Sequence, residues 1–211
     1  PVPAPAPSAV AFLQYTSGST SEPKGVMVTH ANIAANVRMI QEAFGLDAGS
    51  HPVSWLPLFH DMGLVGFVLA PLFAGCTSTL LGPAAFLEKP VRWLRAISHY
   101  RGTLTSGPNF AYDLCVTKVR PEEREGLDLS TLAGALNGSE PVSARTLARF
   151  RDTYAPYGLR PNVFRPCYGM AEATLLVSAV EPGRIARVLP APPVPADALA
   201  PASRIEAAEL G

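Results

Sequence analysis

Thr16-Ser17-Gly18-Ser19-Thr20-Ser21-Glu22-Pro23-Lys24-Gly25 is the stretch from which the fold of this chain can be read. It sets hydroxyl side chains, two glycines and one lysine directly after the apolar run Val10-Ala11-Phe12-Leu13. Glycines let backbone N–H groups come close to an anion, hydroxyls donate to its oxygens, and an ammonium neutralises its charge. This is the composition of a loop that holds a polyphosphate, although hydroxyl-rich loops without any ligand are also common. The order departs from the Gly-x-x-x-x-Gly-Lys-Ser/Thr loop that runs straight into a helix. Pro23 precedes the lysine and Gly25-Val26-Met27-Val28 follows it, so Lys24 is expected in a turn between two extended segments.

Outward from that loop, strand and helix patterns alternate. Short apolar runs at residues 11–15, 53–56, 77–81, 103–105, 133–136 and 163–165 read as buried strands. Helical periodicity falls between them. Thr29 can cap a helix over residues 30–43, and Asp61 another that includes Leu64, Phe67 and Val68. Further helices fit residues 90–100, 110–119, 144–154 and 171–179, the first opening with proline where a first turn tolerates it. Such alternation predicts an α/β fold with an open, mainly parallel sheet flanked by helices and ligands at the carboxyl ends of its strands. The loop at Thr16 follows the first strand, as that rule expects.

Bulk properties narrow the function. Lys+Arg and Asp+Glu both number 17 in 211 residues, so a broad electrostatic footprint for nucleic acid is not expected. The longest apolar stretch, Leu64 to Gly75, is about half of a bilayer crossing and contains Pro71. Cys76, Cys115 and Cys167 are odd in number and widely spaced, which argues against a disulfide framework or zinc site and for a reducing cytoplasm. Residues 1–8 and 182–211 are rich in proline and alanine and read as linker and tail around a central α/β portion at 9–181. The chain opens on Pro1 rather than Met and is expected to be part of a longer polypeptide. Oligomeric state leaves no readable mark.

Three segments at strand-to-helix junctions carry candidate chemistry. In Trp55-Leu56-Pro57-Leu58-Phe59-His60-Asp61-Met62-Gly63-Leu64, His60 would reach a substrate carboxylate, with Phe59 and Met62 lining an apolar pocket. Alternatively this is a proline turn with Asp61 as a helix cap. No serine lies in a Gly-x-Ser-x-Gly elbow, so a hydrolytic triad is not expected. In Asn137-Gly138-Ser139-Glu140-Pro141-Val142, Gly138 would admit a flat ring whose edge is read by the main chain. Asn-Gly is equally a common turn, and Ser139 or Ser143 could merely cap the next helix. In Cys167-Tyr168-Gly169-Met170-Ala171-Glu172-Ala173-Thr174, Tyr168 would stack on adenine above the space cleared by Gly169, and Glu172 would hold magnesium against phosphates. Otherwise Tyr168 is core and Glu172 complements a helix dipole.

Taken in order, these four motifs resemble those of the adenylate-forming superfamily of acyl-CoA synthetases, luciferases and peptide-synthetase adenylation domains. The finer resemblance is to fatty acyl-AMP ligases. It lies in Leu13-Gln14-Tyr15, Ser21, His60-Asp61-Met62-Gly63-Leu64, Gly107-Pro108-Asn109-Phe110-Ala111-Tyr112-Asp113-Leu114 and Tyr168-Gly169-Met170-Ala171-Glu172-Ala173-Thr174-Leu175. It covers residues 9–180. Ser106 departs from it, standing where a second glycine is expected, and its side chain would narrow the acyl pocket or the nucleotide approach.

The resemblance implies that a fatty acid carboxylate attacks the α-phosphorus of ATP, giving acyl-adenylate and pyrophosphate, and that the acyl group then passes to the phosphopantetheine arm of an acyl carrier protein. On it, Thr16, Ser17, Gly18, Ser19, Thr20 and Lys24 bind phosphates. Thr20 and Glu172 neighbour Mg2+, and Lys24, His60 and Glu172 are catalytic. Gly138, Ser139, Glu140, Tyr168 and Gly169 bind adenine; His60, Gly107, Pro108, Asn109, Tyr112 and Met170 wall the acyl pocket. An acyl-CoA ligase, an amino-acid adenylation domain and a catalytically silent nucleotide-binding module are the competing readings. The superfamily's ribose-binding aspartate and C-terminal-domain lysine would lie beyond Gly211, and the tail would begin the subfamily's insertion. Removing both groups deletes several kcal/mol of transition-state stabilisation. These 211 residues alone should therefore show almost no ATP–pyrophosphate exchange with dodecanoate; turnover typical of a complete ligase would refute this.

Overall fold

The computed structural model describes residues 4–16 and 24–180. Strand β1 (Val10–Thr16) pairs antiparallel with β2 (Lys24–Thr29), with Leu13 opposite Met27, Tyr15 opposite Gly25 and Thr16 opposite Lys24. The Thr16 loop therefore joins two strands of a hairpin rather than a strand and a helix of the parallel sheet, and Lys24 opens β2. Most of the expected phosphate loop, including Ser17, Gly18, Ser19 and Thr20, lies outside the described residues. So does the expected tail at 182–211. In the expected N-terminal linker, the Pro7 carbonyl accepts the Ala31 N–H at 2.9 Å, which ties that segment to the start of the first helix.

Helix α1 (His30–Phe44) begins directly after β2 because Thr29 and Asn32 cap each other's backbone N–H groups, at 3.2 and 3.0 Å. It ends at Gly45, which takes the left-handed conformation (φ 67°). Ile33, Val37 and Ile40 recur at helical spacing and bury against Val28, Val65 and Ala70.

Strand β3 (Val53–Ser54) pairs in parallel with β4 (Thr79–Leu80). Between them run α2 (Asp61–Leu64), a π-helical turn (Val65–Leu69) and α3 (Ala70–Ala74). After α4 (Pro83–Glu88) and α5 (Val91–His99) comes the main sheet. It consists of β5 (Leu104–Ser106), β6 (Gly134–Asn137), β7 (Phe164–Gly169) and β8 (Leu176–Ala179), in that spatial order. The crossovers are α6 (Asn109–Lys118) and α7 (Ala144–Tyr154). β5, β6 and β7 are parallel, and β8 is antiparallel to β7. A parallel bridge between Pro52 and Leu104 joins the β3–β4 pair to this sheet.

Alternation along the strands divides the core. Ala135 and Phe164 face a cluster with Trp55, Phe86, Trp93, Tyr112, Phe150 and Tyr154, whereas Leu104, Leu136 and Leu176 face α1 and the π turn. The first cluster is locked by a polar relay. Trp93 Nε1 donates to Thr105 Oγ1 at 2.8 Å, and that hydroxyl donates to the Val53 carbonyl at 2.6 Å, tying α5, β5 and β3 together.

The expected helix over residues 171–179 is not formed. A single 3-10 turn (Ala171–Ala173) is followed by Thr174 at φ 75° and then by β8. Leu175-Leu176-Val177 suits strand as well as helix, and the side chain of Asn36 captures the backbone here: it donates to Ala173 and Leu176 carbonyls and accepts from Leu176 N–H.

Thr105→Val keeps the shape of the relay but leaves Trp93 Nε1 buried without an acceptor. It should cost about 1–3 kcal/mol in urea unfolding; an unchanged midpoint would show that the relay contributes nothing.

Candidate active site

Because β5, β6 and β7 are parallel and in register, their carboxyl ends and the segments that follow lie side by side. Next to them a cavity of about 500 Å3 opens. The polar groups of its lining come with widely separated segments that also carry apolar side chains: Gln14, Tyr15 and Thr16 at the end of β1, Phe59 to Met62 at the start of α2, Gly138 and Ser139 after β6, and Cys167 to Ala171 on β7 and its turn. Its apolar lining comes from Ile40 and Phe44 of α1, Gly66 and Phe67 of the π turn, and Leu104, Leu136, Leu175 and Leu176 of the sheet side. One space thus carries an aromatic and hydrogen-bonding part and a hydrocarbon part.

Two glycines allow close backbone approaches on this side of the cavity. A Cβ on Gly138 would stand 2.8 Å from the Cys167 carbonyl oxygen, and one on Gly169 would stand 2.2 Å from that of Leu175. Neither position tolerates a side chain without moving backbone. Ser139 adopts φ 71°, an uncommon conformation for serine, which turns the chain sharply after Gly138. Ser143 rather than Ser139 caps α7, accepting from Thr146 N–H at 3.2 Å. Tyr168 is 56% exposed, which removes the reading of this ring as core. Burial pushes the Cys167 thiol up to about 11, so this wall of the cavity offers no thiolate at neutral pH.

His60 and Asp61 form a local pair. His60 Nδ1 lies 2.7 Å from Asp61 Oδ1, and the same carboxylate oxygen accepts the Met62 N–H at 2.7 Å. Met62 N also stands 3.2 Å from Nδ1. A ring nitrogen cannot donate and accept at once, and the shorter contact to a carboxylate assigns the proton to Nδ1. The bond to Asp61 raises the His60 pKa, and the Asp61 charge adds to the effect; partial burial opposes both. Gln14, buried in an otherwise apolar strand, donates from Nε2 to the Phe59 carbonyl at 3.0 Å and so fixes the residue before His60.

Of the residues expected from sequence, Thr16, His60, Gly138, Ser139, Tyr168, Gly169 and Met170 line this one cavity. Lys24 is the strand partner of Thr16 at its edge and is exposed, without being part of the lining. Glu140 is turned away, its carboxylate accepting the Asn109 N–H at 2.7 Å. Gly107, Pro108, Asn109 and Tyr112 do not wall the cavity. Asn109 instead ties α6 to the 138–143 turn through Pro141 and Ser143. Tyr112 is fully buried in the core and donates to the Leu136 carbonyl at 2.7 Å. Ser106 is buried beneath the lining, its hydroxyl 3.1 Å from Met62 sulfur. Glu172 is exposed on the 3-10 turn and makes no hydrogen bond or ion pair among the described residues, which contain no cluster of three metal-ligating side chains.

Sequence reasoning missed Gln14, Ile40, Phe44, Gly66 and Cys167 as cavity residues. A glutamine inside Ala11-Phe12-Leu13-Gln14-Tyr15 is a visible signal, since a buried amide needs a partner. Ile40 and Phe44, at i and i+4, cannot be told from core by spacing alone.

Asp61→Asn keeps an acceptor for the Met62 N–H but removes the charge. It should drop the His60 pKa from above the ordinary histidine value to that value or below, read by histidine NMR titration. An unmoved titration would show that the two side chains are not coupled.

The residues from 1 to 200 match the family model of the AMP-binding enzymes. The chain is 48% identical over 180 residues to medium-chain-fatty-acid–acyl-carrier-protein ligase JamA of Moorena producens, covering 85% of this chain and 30% of that protein. It is 46% identical over 193 residues to long-chain-fatty-acid–AMP ligase FadD26 of Mycobacterium marinum, covering 89% and 33%. The crystal structure of a fatty acyl-adenylate ligase from L. pneumophila with acyl adenylate and pyrophosphate superposes with a TM-score of 0.81 at 47% identity, over 83% of this chain and 31% of that one. The chain thus spans about a third of the length of the relatives it matches. Among the described residues no helix is long and apolar enough to cross a membrane. With its hairpin, parallel strand ends and family match in agreement, this chain belongs to the AMP-binding enzyme family.

Proposed function

We propose that the full-length protein is a fatty acyl-AMP ligase, which joins a fatty acid to AMP with release of pyrophosphate and hands the acyl group to an acyl carrier protein. One observation carries this reading: Thr16, His60, Gly138 and Tyr168 line the same cavity as the hydrocarbon surface of Ile40, Phe44 and Phe67. A nucleotide and an acyl chain need that combination in one space. The acceptor assignment rests on the relatives, among which are acyl-carrier-protein ligases.

A fatty carboxylate is ionised at neutral pH and needs no general base. Its oxygen forms a bond to the α-phosphorus of ATP as the bond to the pyrophosphate oxygen breaks. The barrier is alignment and crowding of negative charge, so the protein's task is positioning and cationic stabilisation. Tyr168 offers a ring face to the adenine between the backbones of Gly138 and Gly169. Thr16 and Lys24, adjacent across the hairpin, meet the phosphates on the other side. His60, held by Asp61 and positively charged over a wider pH range than a free histidine, attracts the carboxylate. The hydrocarbon tail lies against Ile40, Phe44 and Phe67.

Magnesium, when bound, neutralises phosphate charge. The exposed Glu172 carboxylate, with no partner among the described residues, fits a magnesium ion, which takes one or two carboxylates together with phosphates and water.

The test is fatty-acid-dependent ATP–pyrophosphate exchange by the full-length protein. Lys24→Ala should lower it about tenfold or more, the loss expected for one charge-assisted phosphate contact. Carboxylate binding should weaken as pH rises through the raised His60 pKa, and His60→Gln should flatten that dependence. Exchange driven by amino acids but not by fatty acids would refute the assignment. Acyl transfer to free coenzyme A in preference to a carrier protein would correct the acceptor.

A further inference from the structure

We infer that Asn36 is a positioning residue for the active site: through a strained turn it holds the segment that carries Tyr168, Met170 and Glu172. The inference rests on the fatty acyl-AMP ligase reading for its kinetic consequences, and on geometry for the rest. Asn36 sits in α1, which starts one residue after β2 and the hairpin that bears Lys24. The residue is 5% exposed, and one distant segment takes both of its amide donors and its carbonyl oxygen. Nδ2 donates to the carbonyls of Ala173 at 3.2 Å and Leu176 at 2.9 Å, and Oδ1 accepts the Leu176 N–H at 3.0 Å.

Two residues lie between those contacts, Thr174 and Leu175, and Thr174 sits at φ 75° and ψ −53°. That is the γ-turn region with a positive φ, which a β-branched side chain occupies only when its surroundings enforce it. Thr174 is itself buried, and its N–H donates to Ala171 while Met170 N–H donates to Leu175. Met170, Ala171, Leu175 and Leu176 all line the cavity, and Glu172 lies one residue before the clasp, within the turn that the Met170 N–H closes onto Leu175. Among the described residues, the amide of Asn36 is the side chain that bonds the backbone of this loop on both sides of Thr174. α1 therefore connects the lysine-bearing hairpin to the adenine-side turn, and Asn36 is the point of attachment.

The prediction is tested in the full-length protein with Asn36→Ala, Thr174→Gly and the double variant. Glycine adopts positive φ without strain, so it removes the need for the clasp. Asn36→Ala should speed hydrogen exchange at Met170, Thr174 and Leu176 amides while β6 stays protected. In pyrophosphate exchange it should raise the KM for ATP about fivefold or more, and Thr174→Gly should recover most of that rise. Loss of folded enzyme alone lowers the amplitude and leaves KM unchanged. An unchanged KM, or a rise that Thr174→Gly does not reduce, would overturn the proposal. Should Asn36→Ala not fold, Asn36→Asp deletes both donors, keeps the acceptor for Leu176 and is read the same way. If the unaltered protein catalyses no exchange with any fatty acid, the functional reading fails. The clasp is then judged by the amide exchange alone, and equal protection in variant and parent would refute it.

Discussion

The parallel register of β5, β6 and β7 is the constraint from which the site follows. Leu104 opposite Gly134 and Leu136 opposite Arg165 align three strand ends on one edge. In an open α/β sheet that edge is where a ligand meets backbone groups without competing ladder partners. The Trp93–Thr105–Val53 relay and the buried aromatic cluster behind the sheet keep those ends fixed. The close approach of Gly138 to the Cys167 carbonyl is a consequence, since ends packed this tightly leave no room for a Cβ; that of Gly169 to the Leu175 carbonyl belongs to the antiparallel β7–β8 turn.

The sheet supplies only one side of the cavity. The other is brought by α1 and the β1–β2 hairpin, which do not belong to the parallel sheet. Hydrophobic burial of Ile33, Val37 and Ile40 attaches α1 without fixing its register to one residue, because apolar packing has no directionality. Directional bonds from Asn36 and Gln14 add that specificity, one at the turn after Tyr168 and the other at the residue before His60. Polar groups buried in apolar surroundings are thus placed where alignment of distant segments matters.

The α/β alternation is legible in the sequence because period and turn chemistry agree over most of the chain. Residues 144–154 are expected as helix and form α7 within the same bounds. The strands are legible in place and less so in length: 53–56 is reduced to Val53–Ser54, and 163–165 extends through Gly169. The helix expected at 171–179 is misread because the deciding group, Asn36, is 140 positions from Leu176. Local propensity carries no trace of such a bond. The same holds for the site. Tyr168 and His60 are visible as chemistry at junctions, while Tyr112 shares their motif-like setting and yet packs in the core, satisfied by Leu136.

The central claim is that one nucleotide spans from the Thr16–Lys24 edge of the hairpin to the Tyr168 ring. Photolabelling of the full-length protein with 8-azido-ATP, followed by peptide mass spectrometry, tests it directly. Label that ATP competes away should fall on the peptides holding Gly138 to Glu140 or Tyr168 to Met170. Competable label confined to α5 or α7, behind the opposite face of the sheet, would contradict it.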